Sequence, residues 1–198
     1  MSSSGAHIRA AKKRDYRMGR RAEKQAQTRL RIVEAAFDLH STLGPARATV
    51  SQIAERAGVQ RHTYYAHFPE ERDLFLACSG LALERDPLPD LNSLRAVRSG
   101  HARVRRGLKE FYGWYERNAR QAACVLRDAE VHPLTREMVE LRMGPVFQEA
   151  AEVLGEGLKT RSRALLGLAL EFACWRSLGE SMTSSKAAEL MSDAIAKV

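Results

Sequence analysis

The sequence predicts an all-α protein, and three observations carry that prediction. Apolar residues recur at intervals of three and four through most of the chain, which is the period of a helix. Convincing alternation of apolar and polar residues, the mark of a half-buried strand, is absent. Most prolines (Pro45, Pro69, Pro87, Pro89 and Pro133) stand at expected helix ends or in loops, as a residue without an N–H should. Pro145, after Gly144, is the exception. It lies within a helical pattern and predicts a kink or break near Met143. With 198 residues, the chain can build one body or two small domains with a full core.

Taken in order, the first helix is expected from about Gln25 to Leu43, with Leu30, Val33 and Phe37 turned inward. Thr49 then offers a hydroxyl to an N–H of the following turn, the work of an N-cap. Val50, Ile53, Ala54 and Ala57 fall at i, i+3, i+4 and i+7 on one face of a short helix. Gly58 suits the left-handed position at which a helix ends. Val59 returns to the core, and Tyr64 and Phe68 continue an apolar face on a second short helix. Between them stand Gln60, Arg61, His62, Thr63, Tyr65 and His67, a high density of hydrogen-bonding groups for about two turns. Two short helices joined by such a turn read as a helix-turn-helix, whose second helix lies in the major groove of DNA.

The wider segment 29–76 resembles the DNA-binding domain of the tetracycline-repressor (TetR) family of transcriptional regulators. The resemblance rests on Ile32-Val33-Glu34-Ala35-Ala36-Phe37, Gly44, the run from Thr49 to Val59, and the aromatic helix closing on Phe68 and Leu74. It implies that Arg61 and His62 face base edges, arginine matching the two acceptors of guanine. Thr63, Tyr65 and His67 would contact phosphate, and Thr49 and Ser51 would hold the backbone or reach a base. Two positions depart from the family pattern. Gln60, still within the DNA-contacting set, is a poorer N-cap than the usual Ser or Thr. Glu71 stands where a phosphate-contacting lysine is usual, so Arg72 or the N-terminal arm is expected to replace that contact.

The net charge of +8 is unevenly placed. Residues 1–28 carry eight basic side chains against Asp15 and Glu23, whereas residues 29–75 balance six against six. The excess is a basic arm, and double-stranded DNA is the polyanion that fits beside a helix-turn-helix. The expected domains are a flexible arm at 1–24, the helix-turn-helix domain at 25–69 and a helical body at 70–198. Residues Met1 to Ile8 have little to fold around, whereas Arg14 to Lys24 are expected against phosphate or the minor groove. Cys78, Cys124 and Cys174 are odd in number and widely spaced, so neither a disulfide framework, a metal site nor a cofactor is expected. No run approaches a membrane span and no apolar signal core is present, so a cytoplasmic location is expected.

Beyond the head, a helix from about Glu70 to Arg85 should link the two parts through Leu74, Phe75, Cys78, Leu81 and Ala82. Leu94, Val97, His101, Val104, Leu108, Phe111 and Tyr115 then mark one face of a helix from Ser93 to about Asn118. Further helices are expected at Ala119 to about Glu130, Leu134 to Leu158, Arg161 to about Met182 and Ser184 to Val198. The helix from Arg161 is apolar on two faces and so needs two partners. The resemblance implies a homodimer through the last two helices and a body that binds a small-molecule effector. His101, Phe111, Trp114, Tyr115, Cys124, Met143, Phe147, Phe172 and Trp175 are the candidates to line that pocket, and many of them would serve equally well as core. Arg127 and Arg176 could pair an acidic effector. The function expected is a DNA-binding repressor released by a ligand. The competing readings are a non-sensing architectural DNA-binding protein and, more remotely, an enzyme. For the enzyme, no phosphate loop, paired metal-ligand spacing or nucleophile elbow is present.

Overall fold

A computed structural model describes the backbone of residues 4–198 and the side chains from residue 18 onward. The chain is built from α1 (Ser4–Thr42), a 3-10 turn (Pro45–Arg47), α2 (Val50–Ala57), α3 (Arg61–His67) and α4 (Glu71–Arg85). The body follows as α5 (Leu91–Arg95), α6 (Gly100–Ala129), α7 (Pro133–Arg142), α8 (Gly144–Leu154), α9 (Thr160–Leu170), α10 (Phe172–Gly179) and α11 (Ser184–Lys197). No strand occurs among the described residues, as the period predicts.

Two hydrophobic cores form. The first gathers Ile32, Val33 and Ala36 of α1 with Ile53, Ala54, Tyr64, Phe68, Leu74 and Cys78. The second joins α6, chiefly through Leu108, Phe111 and Tyr115, to residues of α5 and α8–α11 such as Leu94, Leu154, Leu166 and Ile195. Helix α4 gives its first half to the head core and then runs along the body, where it packs against α7.

Several expected boundaries are corrected. Helix α1 begins at Ser4, not Gln25: residues 4–24 contain no proline and are rich in Ala, Arg and Lys, which favour helix. Backbone of the expected flexible arm is thus helical from Ser4 onward. Met1 to Ser3 lie outside the described residues, as do the side chains of Arg14 and Arg17. Leu30 is 49% exposed rather than packed on the helix-turn-helix. No break separates Asn118 from Ala119. Asn118 does not cap an end; its amide donates to the Trp114 carbonyl (2.9 Å) and to Asp86 (2.7 Å).

The expected helix from Arg161 breaks instead at Glu171, whose backbone is extended. That break frees the carbonyls of Ala169 and Leu170, which accept hydrogen bonds from the hydroxyls of Tyr112 (2.8 Å) and Tyr115 (2.6 Å). The break at Met143 falls where Pro145 places it, at the start of α8.

Candidate nucleic-acid interface and junction cavity

The helix-turn-helix is assembled by short-range chemistry. The Thr49 hydroxyl accepts the Gln52 N–H, and the Gln52 side chain accepts the Thr49 N–H at 2.9 Å, a reciprocal capping box. Helix α2 then ends on Gly58 in the left-handed conformation (φ 64°), where glycine meets no Cβ penalty. Helix α3 starts at Gln60 without any side-chain cap, as its glutamine predicts. Tyr64 and Phe68 are 2% and 1% exposed and fix α3 against the head core. Burial, aided by nearby Glu71, pushes the Tyr64 hydroxyl up to about 12, so it stays protonated.

Anchored in this way, α3 turns Gln60, Arg61, His62 and Tyr65 to solvent, with Thr63 and His67 half-buried. Thr49 and Ser51 are exposed beside them at the start of α2. The hydroxyl of Thr49 is already engaged in the cap, which leaves Ser51 the less committed of the two. Arg72 is half exposed and already paired. Its guanidinium meets Glu137 of α7 at 2.7 Å, and so ties α4 to the body. Glu71 is exposed in the first turn of α4, a position where the helix dipole favours a carboxylate.

The nominated pocket residues separate into four groups. Phe111, Tyr115, Phe147, Phe172 and Trp175 pack on one another, with ring centroids 5.1–6.3 Å apart. They fill the body core. Cys124 is buried and does not line the junction cavity. His101 is exposed on the surface, 3.0 Å from Asp193 of α11. Its place in an apolar series misled because the series is not one helix face: Leu94 belongs to α5 and Val97 to the turn after it, and α6 begins only at Gly100. Arg127 joins Asp128 and the Leu43 carbonyl, and Arg176 lies over the Phe172 ring, so neither points into a pocket.

Only Trp114 and Met143 of that set line the cavity, which lies elsewhere. It has about 110 Å³ of free volume and sits between α1, α4, α6 and α7, where head and body meet. Its wall includes His40, Phe75, Cys78, Ser79, Leu83, Val125, Thr135, Met138, Val139 and Arg142. Sequence reading missed His40 altogether. It stands as a polar residue close to the end of an apolar helix face, which was the available signal. Burial lowers its imidazole to about 4, against an opposing pull from Asp128, so the ring is neutral. Its Nδ1 lies 3.5 Å from the Cys78 sulfur, and burial pushes that thiol up to about 12.

The rim of the junction is polar. Asp128, 3% exposed, accepts the Ala46 N–H at 2.9 Å, and Arg127 donates to the Leu43 carbonyl at 2.9 Å. Arg142 of α7 donates to the Leu76 carbonyl and the Ser79 hydroxyl of α4. At the far end of α4, Asp86 receives a two-pronged bond from Arg117 and its carbonyl accepts the Trp114 indole N–H at 3.1 Å. The Arg117 bond holds the Asp86 carboxyl below the usual carboxylate range. Gly44 completes the junction. Its φ is +100°, and a Cβ there would lie 2.2 Å from Asp128 Oδ2.

A capped α2, a glycine turn and a polar-faced α3 on a buried aromatic anchor define a helix-turn-helix DNA-binding domain, here joined to a helical body. Residues 32–78 match the sequence model of the bacterial regulatory proteins of the tetR family. That match takes in α2 and α3 with the adjoining parts of α1 and α4, about a quarter of the chain, and shows a likeness to the family there. The HTH-type transcriptional regulator SrpR of Pseudomonas putida is 37% identical over 83 residues. That match covers 40% of this chain and 39% of SrpR, so the chain spans well under half of that relative. The fold of most of the chain is shared more widely. A TetR-like transcriptional regulator from Rhodococcus sp. RHA1 superposes with a TM-score of 0.61 at 21% identity, over 85% of this chain and 93% of that one. The multidrug binding protein EbrR, solved with imidazole, does so with a TM-score of 0.54 at 21% identity, over 83% and 93%. No helix among the described residues is long and apolar enough to cross a membrane.

Proposed function

We propose that this chain is a transcriptional repressor that binds a near-palindromic operator as a homodimer and is released by a small-molecule effector. The observation that carries this reading is α3: a row of exposed polar side chains on a helix fixed from behind by Tyr64 and Phe68. Arg61 and His62 read base edges, while Ser51, Thr63, Tyr65 and His67 set the register on phosphates. Gln60 and Thr49 flank them. Arg72, held by Glu137, leaves this set unless that ion pair opens. The basic N-terminal segment supplies the counter-charge that the neutral segment 29–75 lacks.

Dimerisation through the last helices is supported by apolar side chains that the monomer leaves uncovered, Leu168 of α9 at 57% and Leu190 of α11 at 48% exposure. Two such heads about one DNA turn apart suit a two-fold operator. The fold likeness to EbrR, a protein that binds a small molecule, favours an effector over a purely architectural role. An effector of this kind acts only through its difference in affinity between the DNA-bound and released states.

Footprinting tests the reading. A discrete, two-fold protected site is expected, and Arg61→Ala should weaken binding to it by about 1–3 kcal/mol while relaxing base preference at one position per half-site. Diffuse protection that is indifferent to sequence would instead identify an architectural coat.

A further inference from the structure

We propose that the junction cavity binds a compact, apolar, single-ring molecule bearing one hydroxyl, received by His40 of the DNA-binding domain. Four observations converge on this ligand class. The free volume of about 110 Å³ is on the scale of a cavity that accepts benzene, about 150 Å³. The facing walls are apolar, with Phe75, Leu83, Trp114, Val125, Met138 and Val139. The polar groups on those walls are largely matched within the protein. Ser79 donates to the Leu76 carbonyl, Thr135 pairs with His132 at 2.7 Å, Asn118 donates to Asp86 and Trp114, and Arg142 donates to α4.

His40 is different. It is 5% exposed, yet its Nε2 has no hydrogen-bond partner. A buried polar atom left without a partner is destabilising, so the site is complete only when something supplies one. The other ring nitrogen faces the Cys78 sulfur, and either tautomer is compatible with that contact. A hydroxyl suits both cases, because it can donate to Nε2 or accept from it. The neutrality of the imidazole favours an uncharged ligand.

The position of the cavity gives the ligand a consequence, which rests on the repressor reading above; the binding itself does not. Helices α1 and α4 on one side belong to the head, and α6 and α7 on the other to the body. A ring seated between them bears on α4 where Arg72–Glu137 and Arg142–Ser79 hold it to α7. Opening those bonds would let α4 carry the head away from its DNA-bound position.

Phenol is the probe, with toluene as its hydroxyl-free counterpart, titrated into the full chain and followed by tryptophan fluorescence, since Trp114 lines the cavity. Saturable phenol binding is expected, at least 10-fold weaker for toluene and for His40→Phe. It should be abolished in Ala82→Trp, whose ring would fill the cavity from α4. Equal binding of phenol and toluene, or phenol binding undiminished by both substitutions, overturns the proposal. Should either variant lose its helical circular dichroism, a crystal of the wild-type chain soaked in phenol decides instead: a ring within hydrogen-bond reach of His40 Nε2 supports the site, and a ring elsewhere or none overturns it. Phenol bound as described with operator affinity unchanged would keep the site and sink the release mechanism.

Discussion

Two aromatic-rich regions of this molecule are built from similar residues and end in opposite states. In the body, Phe111, Tyr115, Phe147, Phe172 and Trp175 close on one another, and tyrosine hydroxyls consume the carbonyls freed by the break at Glu171. At the junction, Phe75 meets His40 (5.1 Å) and His132 (5.8 Å), and Trp114 faces Leu83 and Val139 across open space. The body cluster belongs to one core, so each ring is packed by elements that fold together. The junction lies between two cores, each satisfied on its own. Polar clamps at its rim (Asp128 to Ala46, Arg127 to Leu43, Arg142 to α4) set the spacing of head and body without filling the gap. Close packing holds the first region together, while the second is held at its rim by directional bonds.

The largest test of this contrast is Phe111→Ala. Phe111 is 0% exposed, and its truncation should cost about 3–5 kcal/mol of unfolding free energy, measured by urea denaturation. The capping and anchoring of α3 should be untouched, with DNA affinity retained in the folded fraction.

The junction has a pH signature of its own. The imidazole of His40 is lowered to about 4 in the folded chain, against roughly 6.5 when unfolded. Between those values the unfolded chain binds more protons. The stability that His40 contributes by staying neutral is therefore full above pH 6.5 and declines as pH falls towards 4. The loss across that window is on the order of 3 kcal/mol. Denaturation midpoints across it should show the slope in the wild type and lose it in His40→Leu. Asp128 and His132, which act on His40 in opposite senses, modulate its size.

Gly44→Ala should cost about 2–3 kcal/mol, combining a strained positive φ with a displaced, buried Asp128. Its more telling result would be cooperativity. If the clamps couple head and body, calorimetry of this variant should resolve two thermal transitions in place of one. The smallest effect belongs to Leu83→Ala. Leu83 borders a cavity and is already half-buried, so about 1 kcal/mol is expected, below the roughly 2–5 kcal/mol of a fully buried leucine. A loss equal to that of Phe111→Ala would show that the junction is packed like the body after all.

What the sequence made legible follows the same division. The Thr49 cap, the αL Gly58, the weak Gln60 start, the buried Tyr64 and the break before Pro145 depend on residues within a turn or two of each other. Each was readable from its neighbours. What escaped depends on distant partners. Arg72 looked available to DNA, but Glu137 lies 65 residues away in sequence. Nothing near Glu171 marks a break, because the hydroxyls that stabilise it come from α6. His101 seemed the informative histidine and is a surface residue beside Asp193. His40, in the same chain, became informative only when α1, α4 and α7 were brought together around it. A cavity is the least local feature of all, since it is defined by what four helices fail to fill.

Hydrogen exchange with and without phenol separates the two regions most directly. If the junction is the yielding part of the molecule, changes in amide protection on adding phenol should fall in α4 (Glu71–Arg85) and α7 (Pro133–Arg142), with Phe172–Gly179 unaltered. Altered protection centred on Phe172–Gly179, with α4 and α7 unchanged, would contradict the account and place the responsive site in the body core instead.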